Sequence, residues 1–325
     1  MMASDFSIVI PAFNRERFIA AAIESALGQT LRADEIIVVD DGSTDRTSEI
    51  VGRYGPPVRL IRIENNGAGP SRPRNVGIEA ARSKYITLLD SDDRLEPTVV
   101  ERHRAVFTQC PQVGLISNHW KTAELIDGRL CNWQEKHVFP VEKVSKTEIG
   151  PATYLISSAV AYEAYCNRNH VRTSGASFPR QVWADIGGFD ESFPTAQDYD
   201  FFFRVMAGHD VVYIDIPLAV FVWHDENISA ANLGGVFVPG HYTNGIRVLE
   251  RQLSCSSNPR VTERLRHHLQ GIYFGLGYHY RNARQYRLAL SAYGKYRAYG
   301  GSIRCYWEAL AKLAVHRCLA CLRLV

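Results

Sequence analysis

The sequence contains no uninterrupted apolar run approaching the ~18 residues that a helix needs to cross a bilayer, so no membrane span is expected. Its first residues, Met1-Met2-Ala3-Ser4-Asp5, lack a basic stretch leading into an apolar one. That predicts no secretory leader and a cytoplasmic location. Cysteine is scarce: seven in 325 residues, an odd number at scattered positions, which suits a reducing compartment and argues against a disulfide scaffold. Cys318 and Cys321 form one Cys-x-x-Cys pair, but no second pair completes a zinc site, so they read as packing residues. With 46% hydrophobic and 22% charged residues the chain is neither disordered nor fibrous.

A net charge of +3 hides a division. From Arg260 onward there are 12 Lys and Arg against 2 Asp and Glu, whereas the preceding 259 residues hold 25 basic and 32 acidic side chains. An acidic body therefore precedes a basic segment.

The first part alternates strand and helix patterns. Phe6–Ile10 is a short β-branched run ending at Pro11, and Asn14 is placed to cap a helix carrying Phe18, Ala22, Ile23, Ala26 and Leu27 at helical spacing. Further apolar strands are expected at Glu35–Val39, Val58–Ile63 and Tyr85–Leu89, with helices running to about Tyr54 and over Arg74–Ala81. Near-continuous apolar strands separated by helices imply an α/β fold with a parallel sheet covered on both faces. Right-handed crossovers bring the strand ends to one edge, where open α/β sheets place their ligands. Residues 110–225 are less regular, with expected strands at Val113–Ser117, Val211–Ile214 and Ala219–Trp223 and a helix over Asp198–Ala207. Beyond Pro259, the last proline, helical spacing continues to the end, and Arg281–Tyr299 resembles one helix-turn-helix repeat.

The fourth strand ends in Leu89-Asp90-Ser91-Asp92-Asp93. Two unit charges ~4 Å apart cost about 4 kcal/mol at an effective dielectric near 20. A hard divalent cation removes that cost, and oxygen ligands suit Mg²⁺ or Mn²⁺. An isolated Asp-x-Asp is also simply a solvated acidic turn, so the surrounding motifs decide its meaning.

Those motifs are Pro11-Ala12-Phe13-Asn14 after strand one, Val39-Asp40-Asp41-Gly42-Ser43 after strand two, and Asn66-Gly67 with Arg74-Asn75-x-Gly77 before strand four. Later come Gly187-Gly188-Phe189-Asp190-Glu191 and Gln197-Asp198-Tyr199-Asp200 with Arg204. In this order, over about residues 6–225, they resemble family 2 glycosyltransferases of the GT-A fold. The resemblance implies a Rossmann-like, mostly parallel sheet flanked by helices, with an α-helical C-terminal extension. It divides the chain into a catalytic domain at 1–235, with a nucleotide-sugar half at 1–110 and an acceptor half at 111–235, and a basic extension at 236–325.

It also implies roles. Asp41 is expected to accept a hydrogen bond from a nucleobase imide, which favours a UDP-sugar and allows a dTDP-sugar. Pro11, Phe13, Asn14, Asn66, Asp90, Ser91 and Asp92 are expected around the donor. Arg74 follows Pro73 in the first turn of a helix, where a guanidinium and unpaired N–H groups favour a diphosphate. The family usually has alanine where this chain has Pro73. Asp92 and His224, which follows an apolar strand ending at Trp223, are the expected metal ligands. Asp198, near a helix start, is expected to be the general base of an inverting single displacement. Gln197 replaces the family's glutamate, keeping a carbonyl but losing a charge, and joins Gly188 and Phe189 on the acceptor side. The i, i+4 pair Asp200 and Arg204 reads as structural.

Two other functions remain open on the sequence. A sugar-nucleotide nucleotidyltransferase would carry a Gly-rich loop after strand one, where this chain has Pro11-Ala12-Phe13-Asn14-Arg15. A catalytically inactive nucleotide-sugar-binding scaffold would be expected to lose Asp198 or the acidic pair, and all are present. The expected partners are a nucleotide sugar, a glycan or lipid-linked acceptor, an anionic membrane surface for residues 260–325, and a second copy of the chain. No nucleic acid is expected.

Overall fold

The computed structural model describes residues 4–65, 67, 69–136, 139–227 and 239–322. Asn66 lies outside the described residues. The chain divides into two compact units, Met1–Tyr165 with Asn169–Ala230, and Cys166–Arg168 with Ala231–Val325.

The first unit is built on an eleven-stranded sheet. Its strands are β1 (Phe6–Ala12), β2 (Glu35–Asp40), β3 (Val58–Arg62), β4 (Tyr85–Leu88), β5 (Arg94–Leu95) and β6 (Leu115–Ile126). They are followed by β7 (Arg129–Lys136), β8 (Thr147–Gly150), β9 (Thr153–Ile156), β10 (Ser177–Pro179) and β11 (Val211–Trp223). The order is β3-β2-β1-β4-β10-β6-β11-β9-β8, with β5 paired to β11 and β7 to β6. The β3-β2-β1-β4 stretch is parallel throughout. Helices α1 (Ile19–Leu27), α2 (Thr47–Gly52), α3 (Ser71–Ala80) and α4 (Val99–Gln109) belong to this half. Alternation then sorts the side chains: Phe6, Ile8 and Ile10 of β1 join Ile19, Ala22, Ile23 and Ala26 of α1 and Phe107 of α4 in one core. On the opposite face Gly77 lets α3 approach the sheet; a Cβ there would sit 2.5 Å from Val9.

Two expectations are revised. Asn14 does not cap α1, which begins at Ile19 without a side-chain cap. It adopts a left-handed φ of 50° and instead bonds the loop after β2, its N–H donating to Ser43 and its Oδ1 accepting from Thr44. Val211–Ile214 and Ala219–Trp223 form one strand, β11, whose register slips around Pro217 as it runs parallel to β6. Proline has no N–H for the ladder, so the sequence reads a break where the strand only bulges.

The sheet becomes mixed at β10, which is antiparallel to both β4 and β6. Helices α5 (Ser158–Tyr165), α6 (Arg180–Asp185) and α7 (Gln197–Met206) follow in the second half. Phe201, Phe202 and Phe203 of α7 are completely buried.

The second unit contains α8 (Pro239–Cys255), α9 (Pro259–Asn282), α10 (Tyr286–Ala298) and α11 (Ile303–Leu322). Asn258 caps α9 by accepting from the N–H groups of Arg260 and Val261, with Pro259 in the first turn. Ala289, Tyr293, Ala309 and Leu313 form its core, and Glu250 accepts from the hydroxyls of Tyr273 and Tyr299. Ile303, Trp307 and Val315 of α11 are exposed. Among the described residues no helix is long and apolar enough to cross a membrane.

Candidate active site

The C-terminal edge of β1, β2 and β4 gathers the motif residues. Asp41, just past β2, is 3% exposed, and its Oδ1 has no hydrogen-bond partner among the described residues. Burial raises its carboxyl above the ordinary aspartate range, Arg72 opposes that shift, and Asp40 and Glu191 add to it. Pro11 is buried in β1, whereas Phe13 is exposed.

Arg74, in the first half of α3, is 2% exposed and donates to Asp90 Oδ1 at 2.6 Å. Its guanidinium also lies over the Phe189 ring, 5.5 Å from the centroid. The Nε and one terminal nitrogen have no partner among the described residues. Each buried unmet donor costs about 1–3 kcal/mol, so the arrangement is suited to a ligand that supplies acceptors.

The acidic run after β4 is divided by its surroundings. Ser91 is buried. Asp93 turns inward, accepting from Ser174 Oγ at 2.5 Å and from the Val222 N–H at 3.1 Å. Its carboxyl is raised well above the ordinary range, first by burial and then by Asp92 and Asp90. The Asp90 carboxyl is also raised, chiefly by burial, against the pull of Arg74 and with repulsion from Asp92 and Asp198. Asp92 Oδ2 faces His224 Nε2 at 3.2 Å and Arg15 Nε at 3.8 Å. The His224 ring stacks on Phe18 with centroids 4.1 Å apart.

Asp92 Oδ2 and His224 Nε2 are neighbours that could hold one divalent cation between them, once Asn227 Nδ2, 2.9 Å from the same ring nitrogen, turns away. A lone pair on Nε2 places the ring proton on Nδ1, opposite the Glu226 backbone nitrogen at 3.1 Å. Binding an ion therefore requires that turn to shift. Among the described residues no group of three or more His, Cys, Asp or Glu stands together as a metal cage. Phosphate oxygens and water would complete the shell.

Gly188 and Phe189 are held by α3: Asn75 donates to Phe189 O at 2.8 Å and accepts from Phe189 N–H at 2.9 Å. Gly188 has a φ of 69°, and a Cβ there would meet Asn75 Oδ1 and Trp183 Nε1 at about 3 Å. The Phe189 side chain is buried and stacks on Phe201, so it shapes the site from beneath. Arg204 pairs with Asp200 as expected and also donates to the carbonyls of Ile186 and Gly188.

Gln197 and Asp198 open α7, and the buried Gln197 Oε1 has no partner among the described residues. Asp198 accepts from Asn169 Nδ2 at 2.7 Å, and its charge raises the Asp90 carboxyl. Asp198 thus lies close enough to the motif after β4 to act on it electrostatically. Sequence reasoning missed Arg15, Ser174 and Asn169. Arg15 also pairs with Glu226 at 3.6 Å, and Ser174 joins the Asp90 N–H to Asp93.

Residues 7–126 match the family model described as glycosyl transferase family 2. The chain carries a family 2 glycosyltransferase domain. It is 30% identical over 230 residues to a chondroitin synthase of Escherichia coli, covering 70% of this chain and 30% of that protein. It is 30% identical over 235 residues to a hyaluronan synthase of Pasteurella multocida, covering 70% of this chain and 21% of that protein. An uncharacterised glycosyltransferase of Rickettsia felis is 29% identical over 225 residues, 69% of this chain and 35% of that protein. The chain thus spans about a third or less of these relatives. Among solved structures, residues 1–349 of Staphylococcus aureus TarS in complex with UDP-GlcNAc superpose with a TM-score of 0.67 at 18% identity, covering 97% of this chain and 89% of that one. The likeness shows the GT-A fold: a central, mostly parallel sheet flanked by helices, followed by a helical region.

Proposed function

We propose that this chain transfers a sugar from a nucleoside diphosphate, a UDP-sugar in preference to a dTDP-sugar, to a hydroxyl of a glycan or lipid-linked acceptor. The observation that carries the reading is the buried Arg74 guanidinium, which donates to Asp90 at 2.6 Å and lies over the Phe189 ring, joining the acidic edge after β4 to the Gly188-Phe189 loop. Asp41 Oδ1 is buried and unmatched among the described residues, which suits it to the imide N–H of uracil or thymine. Pro11, Phe13, Asn14 and Ser91 would surround the donor. Arg74 and Arg15 would neutralise the diphosphate, and Gln197 would orient a sugar hydroxyl.

Asp92 and His224 would hold Mn²⁺ or Mg²⁺, which when bound supplies charge neutralisation to the leaving diphosphate. Asp198 takes the proton of the acceptor hydroxyl as that oxygen attacks the anomeric carbon from the face opposite the leaving group. One displacement inverts the configuration. TarS was solved with UDP-GlcNAc, and this makes that compound the first probe.

The test is a panel of UDP- and dTDP-sugars assayed for nucleotide release and thermal shift with Mn²⁺ or Mg²⁺. A metal-dependent response to a UDP-sugar is expected. No response to any nucleotide sugar would overturn the reading. The basic second unit is proposed to rest on an anionic membrane face, with each nearby Lys or Arg contributing about 1 kcal/mol. Flotation with anionic but not neutral liposomes, weakened by salt, is the expected outcome.

A further inference from the structure

Asp198 reaches its place at the head of α7 with one oxygen already engaged. Asn169 Nδ2 donates to Asp198 Oδ2 at 2.7 Å. Asn169 lies in an irregular loop, and a side-chain amide could in principle present either end to a carboxylate. Here two donors fix the choice. Asn169 Oδ1 accepts from the Val171 N–H at 3.0 Å and from the Tyr165 hydroxyl. A reversed amide would set its NH₂ against both donors and its carbonyl against the carboxylate, losing three hydrogen bonds at once.

Tyr165 is itself immobilised. Its side chain is completely buried at the end of α5, with its ring against Tyr199 at 5.1 Å and Phe203 at 5.3 Å, both on α7. Tyr199 returns a hydrogen bond from its hydroxyl to Tyr165 O at 2.9 Å. Burial and the nearby Asp198 charge raise the Tyr165 hydroxyl well above its ordinary range, so it stays a donor. The carboxylate thus stands at the end of a chain of neutral donors that begins on its own helix.

We propose that Asn169, oriented by Tyr165, is a positioning residue for the base: it occupies Asp198 Oδ2, stabilises the ionised form, and leaves Oδ1 to receive the acceptor's proton. This rests on Asp198 being the general base. The carboxylate that repels it is Asp90, while the Tyr165 hydroxyl reaches it only through Asn169. Asp200 on the same helix is neutralised by Arg204. An amide donor to a carboxylate therefore offsets a specific cost.

The test follows UDP release from UDP-GlcNAc as a function of pH, alongside UDP binding by calorimetry. For Asn169→Leu, which has similar bulk and no donor, the acidic limb of the rate should move up by about one pH unit, and the plateau rate should fall roughly tenfold. Asn169→Asp should move that limb further, since two facing carboxyls share a proton. Tyr165→Phe should shift it in the same direction by less. UDP affinity should stay within about twofold in all three, which a general loss of structure would not allow. An unchanged acidic limb in Asn169→Leu overturns the proposal, and if that variant does not fold, an unchanged limb in Tyr165→Phe does so. Asp198→Asn separates the two claims: if it keeps wild-type turnover the base assignment fails first, and if it is inactive the Asn169 result stands alone.

Discussion

The two sides of the site solve opposite electrostatic problems. After β4, three carboxyls crowd together, and those of Asp90 and Asp93 are pushed above the ordinary range by burial and mutual repulsion. At the head of α7, Asp198 stands on neutral amide support from Asn169. The first arrangement is costly until positive charge arrives, which suits a binding site for a cation and a diphosphate. In the second an amide already holds one carboxylate oxygen before any ligand comes, which suits a group that must be aimed in advance of the reaction. The difference teaches that acidic residues in one cleft can be told apart by what faces them.

Asp198→Asn gives the largest expected effect. It should lower turnover by ~10²–10⁴-fold while leaving folding and UDP binding intact. Near-normal turnover would erase the distinction between the two sides. Asp90→Ala comes next. It strands the buried Arg74 guanidinium without its 2.6 Å partner, and should destabilise the protein by about 3 kcal/mol in denaturant unfolding. Unchanged stability would mean that Arg74 finds another acceptor.

The smallest effect has the opposite sign. Asp92→Asn removes repulsion from Asp90 and Asp93, so the metal-free protein should gain up to about 1 kcal/mol at neutral pH. The pH dependence follows from the direction of those shifts. A carboxyl raised in the folded state stabilises it fully below the unfolded-state value and loses that contribution as pH rises through the folded-state value. Metal-free melting temperature should therefore rise as pH falls from 7 toward the ordinary carboxylate range, and less so in Asp92→Asn. A wild-type slope in that variant would show that Asp92 does not act on its neighbours.

The legible part of the fold was the part with local periodicity. The parallel strands β1 to β4 are apolar runs closed by polar loops, and both the acidic run and Asp198 sit beside such regular elements. Ser177–Pro179 gave no such signal. Three residues are too few for a pattern, yet β10 joins β4 to β6 and turns a parallel sheet into a mixed one. Arg15, Asn169 and Ser174 were missed because their partners are distant in sequence. Asn169 meets Asp198 across 29 positions and Ser174 meets Asp93 across 81, and an asparagine or serine in a loop ordinarily reads as turn chemistry. Pairing of that kind is decided by tertiary packing.

The central claim is that the edge beyond β4 is a cation-assisted nucleotide site. Calorimetric titration of UDP into the metal-free protein, with and without Mn²⁺, tests it most directly. The account predicts binding that strengthens at least tenfold with Mn²⁺ and loses that dependence in Asp92→Ala. UDP binding of equal strength with and without the ion, unchanged by the substitution, would contradict it.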